Sequence, residues 1–146
     1  MLKNIDLYGT SLTADELLQL LEHGHPELFS AASSVSRGAF GGKVYFRALI
    51  EISSFCHNGC LYCGLRAGNR LARRYRMDID SILRCCDKAA SAGYRTFVLQ
   101  GGEDPVQDDA WIAGMVERIR AEFPECAITL SVGERSRDAY RMFREA

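Results

Sequence analysis

The stretch that decides the fold is Thr96–Val132, TFVLQGGEDPVQDDAWIAGMVERIRAEFPECAITLSV. It opens on a short apolar run, Thr96 to Gln100, bounded by Gly101 and Gly102, which reads as a buried strand. Asp108 then caps a helical pattern whose inward positions are Trp111, Ile112, Met115, Val116 and Ile119, and Pro124 ends it. Ala127 to Val132 is a second short apolar run. Strand, helix and strand at this spacing make a βαβ unit, which implies a parallel sheet.

The same alternation extends in both directions. Upstream, Val44 to Ser53 (VYFRALIEIS) is β-branched and aromatic, with Val44, Phe46, Ala48, Ile50 and Ile52 on one face. Asp78 caps a helix with Ile82, Cys86, Ala89 and Ala90 at helical spacing, ended by Gly93. Downstream, Ser136 caps a last helix carrying Ala139, Tyr140 and Phe143. The N-terminal stretch is helical: Thr13 and Glu16 form a capping box, with Leu12 and Leu17 at the staple positions. That helix stops near Gly24, and a second covers about Glu27 to Ser36, closed by Gly38, Gly41 and Gly42. The expected organisation is a helical segment over residues 1–42 and an α/β segment over 43–146.

The fold class that follows is α/β, about three βα units on a parallel sheet preceded by N-terminal helices. The chain of 146 residues ends on Phe143-Arg144-Glu145-Ala146, inside a helical pattern. Three parallel strands do not close a barrel. The expectation is therefore a chain cut short, with an open sheet that exposes strand edges and apolar faces.

Composition narrows the function. The formal net charge is -1, which argues against a general affinity for nucleic acid or anionic lipid. Five arginines fall between Arg66 and Arg76, read as a solvated, anion-tolerant loop. No signal peptide is visible and no apolar run approaches the roughly 20 residues that span a bilayer, so a cytoplasmic protein is expected. In that compartment six cysteines are not a disulfide framework. Cys85, Cys86 and Cys126 sit in apolar-periodic segments and read as small core residues.

Cys56, Cys60 and Cys63 are different. Cys56-His-Asn-Gly-Cys60-Leu-Tyr-Cys63 has the spacing C-x3-C-x2-C and lies in a long irregular connection, Ser54 to Met77, of the kind that is usually functional. Three thiolates on one loop suit a 4Fe–4S cube with one iron left open. A zinc site would want paired ligand sets, and His57 beside Cys56 is badly placed to share its metal. A catalytic thiol accounts for one cysteine and leaves two unexplained.

The ends of the other strands agree. In parallel barrels the reactive groups lie at the C-terminal ends of strands. Gly101-Gly102-Glu103-Asp104-Pro105 follows the second strand, and Ser131-Val132-Gly133-Glu134-Arg135 ends the third. The glycines alone fit an ordinary turn, Glu103 and Asp104 could serve only the dipole of the following helix, and Glu134 with Arg135 could be a solvated pair. Their coincidence with the cysteine loop on one rim favours a ligand site.

At these residues the sequence resembles the radical S-adenosylmethionine (SAM) enzymes. CHNGCLYCGLRAGN (Cys56–Asn69) carries their cysteine signature, with Tyr62 as the usual aromatic, and Gly101-Gly102-Glu103 looks like their GGE motif. CLYCGLR, RYRM, YRTFVLQGGEDP (Tyr94–Pro105) and ITLSVGER (Ile128–Arg135) resemble the HydE maturases of FeFe-hydrogenase, in the group that holds biotin synthase and methylornithine synthase.

The resemblance implies an incomplete TIM-type (β/α) barrel, about three βα units preceded by N-terminal helices, because full-length members close eight units. It implies that the chain alone is not a competent enzyme, and it implies roles position by position. Cys56, Cys60 and Cys63 would ligate the 4Fe–4S cluster, and Tyr62 would contact the SAM adenine, largely through its backbone. Gly101, Gly102 and Glu103 would meet the SAM amino group, with Gln100 lining the cavity beside them. Glu134 would contact the ribose or methionine end, with Ser131 and Arg135 as weaker candidates. The implied activity is reductive cleavage of S-adenosyl-L-methionine in H-cluster maturation. The implied substrate is an iron–carbonyl–cyanide species bearing cysteine, supplied by another hydrogenase maturase. Ferredoxin or flavodoxin would donate the electron. The competing readings are a biotin synthase-like or methylornithine synthase-like enzyme, and a metal-binding module without catalysis.

Overall fold

Local chemistry sets the element boundaries in the computed structural model, which describes residues 5–8, 11–24 and 26–146. Two compact units are present, Met1–Tyr45 and Phe46–Ala146. In the first, α1 (Ala14–His23) starts at a full capping box, with the Thr13 hydroxyl accepting from Glu16 N–H and the Glu16 carboxylate accepting from Thr13 N–H at 2.8 Å. Helix α2 (Leu28–Phe40) runs through Gly38 and ends at Gly41, whose φ of 61° is left-handed. It thus passes the sequence-expected stop at Ser36. One glycine costs a helix only about 1 kcal/mol, and only the glycine that adopts the left-handed conformation ends it.

The second unit holds a three-stranded sheet in the order β1-β2-β3. Its elements are β1 (Ala48–Ser53), α3 (Ile79–Ser91), β2 (Thr96–Gly101), α4 (Asp109–Glu122), β3 (Ala127–Ser131) and α5 (Arg137–Glu145). Both strand pairs are parallel, with Ala48 beside Phe97 and Phe97 beside Ile128. The expected strand from Val44 is shortened at its N-terminal end. β2 begins at Thr96, which the register sets opposite Arg47, so residues before Arg47 have no ladder partner there, and Val44 and Phe46 are exposed.

Asp78, Asp108 and Ser136 cap α3, α4 and α5 through side chains that accept from Ser81, Trp111 and Ala139 N–H. Alternation along the strands sorts the two faces of the sheet. Ile50, Ile52, Phe97 and Leu99 are buried with Ile82, Cys86, Ile112, Met115, Val116 and Ile119 from the helices. Phe97 meets Phe123 edge to face at 5.6 Å between ring centroids. The opposite face carries Leu49, Glu51, Gln100 and Ser131, all exposed. This is an arc of a (β/α) barrel, helices outside and inner wall open.

Cys86 and Cys126 are buried and Cys85 partly so, consistent with core packing. Burial pushes the Cys86 thiol up to about 12, which makes it an inert group at neutral pH. Among the described residues no helix is long and apolar enough to cross a membrane.

Candidate functional site

Parallel strands put all their C-terminal ends at one edge, so the loops after β1, β2 and β3 share a rim. The cysteine loop leaves β1 at Ser53. His57 N–H donates to the Glu103 carbonyl at 3.1 Å, and His57 Nε2 stands 3.5 Å from Glu103 Oε2. Contact between the first two loops is closest at Gly102. A Cβ there would overlap the Phe55 carbonyl oxygen and stand 2.6 Å from Cys56 Cβ, so only glycine lets the turn lie against the root of the cysteine loop. The third loop joins through Gly133, at φ 84°, where a Cβ would collide with the Glu103 side chain.

The loop holds its shape through arginines, in contrast to the solvated run expected from the sequence. Arg74 donates to the carbonyls of Ser54, of Leu65 at 2.8 Å and of Arg66 at 2.8 Å. Arg66 donates to the Cys63 carbonyl at 3.0 Å, and Asn69 to that of Gly64 at 2.8 Å. Irregular backbone has no ladder of its own, and a guanidinium with five donors can satisfy several carbonyls at once. Part of the basic run is thus internal scaffolding.

Asp104 is buried at 1% exposure and receives Ser53 Oγ at 2.7 Å, Arg76 Nε at 2.6 Å, Arg76 Nη2 at 2.9 Å and Val106 N–H at 3.1 Å. Burial opposes its charge, but the hydrogen bonds from Arg76 and Ser53 outweigh it and hold the carboxyl below its ordinary range. Arg76 is correspondingly raised, chiefly by the same hydrogen bond. Because the native carboxyl binds its proton less readily than the unfolded one, its contribution is complete above the ordinary carboxylate pKa. It is lost as pH falls through the lowered native value. Urea midpoints of the metal-free chain between about pH 3 and 6 should therefore fall with acid, and less steeply in Asp104→Asn.

The sequence-predicted residues separate into groups. Cys56 and Cys63 are half-buried and Cys60 exposed; all three thiols are free. Among the described residues no three His, Cys, Asp or Glu side chains are gathered closely enough to hold a metal ion. Thiolates repel one another until a cation sits between them, so a metal site of this kind closes with its metal. The donor set fits an iron–sulfur cluster: three soft sulfurs on one loop, none spent in a disulfide. Cys56, Cys60 and Cys63 would hold it.

Tyr62 is 92% exposed. Gln100 and Gly101 line a hollow of about 200 Å³ with Glu51, Ser53, Ser54, Leu65, Arg73 and Tyr75. Ladder register sets Glu51 beside Gln100 and Gln100 beside Ser131, a polar row on the open face. Glu134 is exposed, whereas Arg135 turns away from the row to Asp109 Oδ1 at 3.0 Å and to the Gln107 and Val132 carbonyls. The sequence reading missed Glu51, Tyr75, Arg76 and the inward role of Asp104. A charge inside an apolar strand was the available signal for Glu51. Tyr75 hydroxyl donates to the Glu51 carbonyl at 3.1 Å, and burial raises its pKa with the Glu51 charge assisting.

Comparison with known proteins supplies the class. The Radical SAM superfamily profile matches residues 50–146, and the chain belongs to that superfamily. Its members similar to this chain are enzymes. Over 132 residues the chain is 39% identical to the [FeFe] hydrogenase maturase subunit HydE of Thermotoga maritima, covering 90% of this chain and 37% of that protein. It is 34% identical over 101 residues to the 3-methylornithine synthase of Methanosarcina barkeri, covering 66% of this chain and 29% of the synthase. The crystal structure of methylornithine synthase (PylB) superposes with a TM-score of 0.84 at 29% identity, covering 95% of this chain and 42% of that one. The chain thus spans well under half the length of these relatives. At 20% identity and a TM-score of 0.76, the maturase HydG shares the fold.

Proposed function

We propose that this chain forms the cluster-binding and SAM-facing part of a radical SAM enzyme of the HydE type, acting in FeFe-hydrogenase maturation in the cytoplasm. The observation that carries the reading is the seating of the cysteine loop on the Gly-Gly-Glu turn through His57 N–H and Gly102. The identity to HydE of Thermotoga maritima supports the finer assignment. When bound, the cluster would supply one electron to the SAM sulfonium. The chain's own residues hold and orient: Glu103 lies on Gly133 with its carboxylate 3.5 Å from His57, available to an ammonium group, and Gln100 and Ser131 offer hydrogen bonds from the open wall. The substrate would be the iron–carbonyl–cyanide cysteine species, with ferredoxin or flavodoxin as donor and other maturases as partners.

A methylornithine synthase-like reading is favoured by one observation, the TM-score of 0.84 with PylB. Anaerobic reconstitution tests the shared chemistry. About four irons per chain and a spectral change on adding SAM are expected; zinc at one per chain with no response to SAM would refute it. Gene neighbours separate the finer readings: hydrogenase maturases beside the gene support the HydE type, and their absence with methylornithine-pathway genes in place overturns it.

A further inference from the structure

Asp104 has a burial and a bonding pattern that a residue serving only a helix N-terminus does not need. The four hydrogen bonds to its carboxylate join three places in the chain: Ser53 at the end of β1, Arg76 where the cysteine connection returns, and Val106 in its own turn. The connection also closes on itself at this point, because Ser53 pairs with Arg76 in an isolated antiparallel bridge. The Ser53 hydroxyl that donates to Asp104 also accepts from Phe55 N–H at 3.1 Å. The Arg76 guanidinium that grips Asp104 lies 3.7 Å over the Phe55 ring. Phe55 immediately precedes Cys56, and its carbonyl is the group against which Gly102 packs.

We infer that Asp104 is a positioning residue, acting through Ser53, Arg76 and Phe55 to hold Cys56 at a set place against the Gly-Gly-Glu turn. The inference rests on the proposed cluster reading for its functional meaning, while its structural content stands on the network itself. A carboxylate that receives two guanidinium N–H groups and a hydroxyl fixes direction as well as distance, which a single charge at a helix start does not. The residues fixed this way are the attachment point of the first thiol and the turn that faces the ligand. Such outer partners typically carry a 10–100-fold effect on metal affinity or activity.

The test compares the full chain with Asp104→Asn and, as a milder break of the same network, Ser53→Ala. The first readout is amide hydrogen exchange of the metal-free chains. Exchange at Phe55 and His57 should rise by about ten-fold or more while Ile112, Met115 and Ile119 in α4 keep their protection. Unchanged exchange at Phe55 and His57, or a rise shared equally by α4, overturns the inference. Should Asp104→Asn fail to fold, Ser53→Ala decides by exchange at His57 against α4, because this variant removes the Phe55 N–H acceptor directly. The second readout is SAM affinity of the reconstituted chains, read from the SAM-induced change in the spectrum of the reduced cluster. About ten-fold weaker binding at equal iron content is expected in Asp104→Asn, and equal affinity counts against it. A wild-type chain that takes up no iron would sink the cluster reading and leave the exchange result to judge Asp104.

Discussion

Cys56→Ala, rebuilt with iron and sulfide in the absence of oxygen, should come back without the brown colour and iron of the wild-type chain. Cys126→Ala should keep both. Cys56, Cys60 and Cys63 are the thiols on the irregular loop at the strand rim, and three ligands leave no spare sulfur to replace one that is lost. Cys126 is 7% exposed and packs in the core, where its sulfur lies 4.0 Å from the Tyr94 carbonyl. Its replacement removes about one sulfur's worth of packing, on the order of 1 kcal/mol, which a thermal melt would register without change in iron content. Iron assays on the two variants side by side settle the matter: equal iron would remove the assigned role from Cys56.

The second large effect is expected from adjacent glycines that behave oppositely. A Cβ at Gly101 would meet Ile52 Cγ1 at 3.4 Å and Ser53 backbone atoms at 3.5 and 3.6 Å, ordinary contact, so Gly101→Ala should be tolerated. At Gly102 the obstacle is the backbone of Phe55, with Cys56 Cβ at 2.6 Å, and no rotamer change can relieve it. Gly102→Ala must push the two loops apart, at a cost of roughly 1–3 kcal/mol for an overpacked contact. Because the strain falls on the root of Cys56, iron retention should fall as well. Melting temperature and iron content of both variants form the check; Gly102→Ala with wild-type iron would show that the loops need no such approach.

Both predictions concern the point where the chain's local grammar ends. The βα alternation was readable because each element is specified by neighbours in sequence: caps at Asp78, Asp108 and Ser136, apolar spacing between them, and short buried strands at Thr96 and Ala127. The strand from Val44 was over-extended for the same reason. Alternation marks residues able to form a strand, whereas a ladder also needs a partner, and β2 offers none before Thr96. Of the three glycines that the sequence offers to close α2, Gly41 ends it and Gly38 lies inside it, because sequence identifies a glycine but not its φ.

The site divides in the same way. By itself the sequence determined the parallel α/β class, the three-cysteine loop and the Gly-Gly-Glu turn, since spacing and residue type carry that chemistry over a few residues. Only the tertiary structure decided that Arg74 and Arg76 point inward and that Glu51, Gln100 and Ser131 form one row. It likewise placed Asp104 where β1, the returning connection and the turn meet. Those pairings join residues up to 51 positions apart, and nothing local marks an arginine as facing a buried carboxylate rather than water. Side-chain chemistry is written in the order of residues; which groups meet is set by how strands align and where helices cover them.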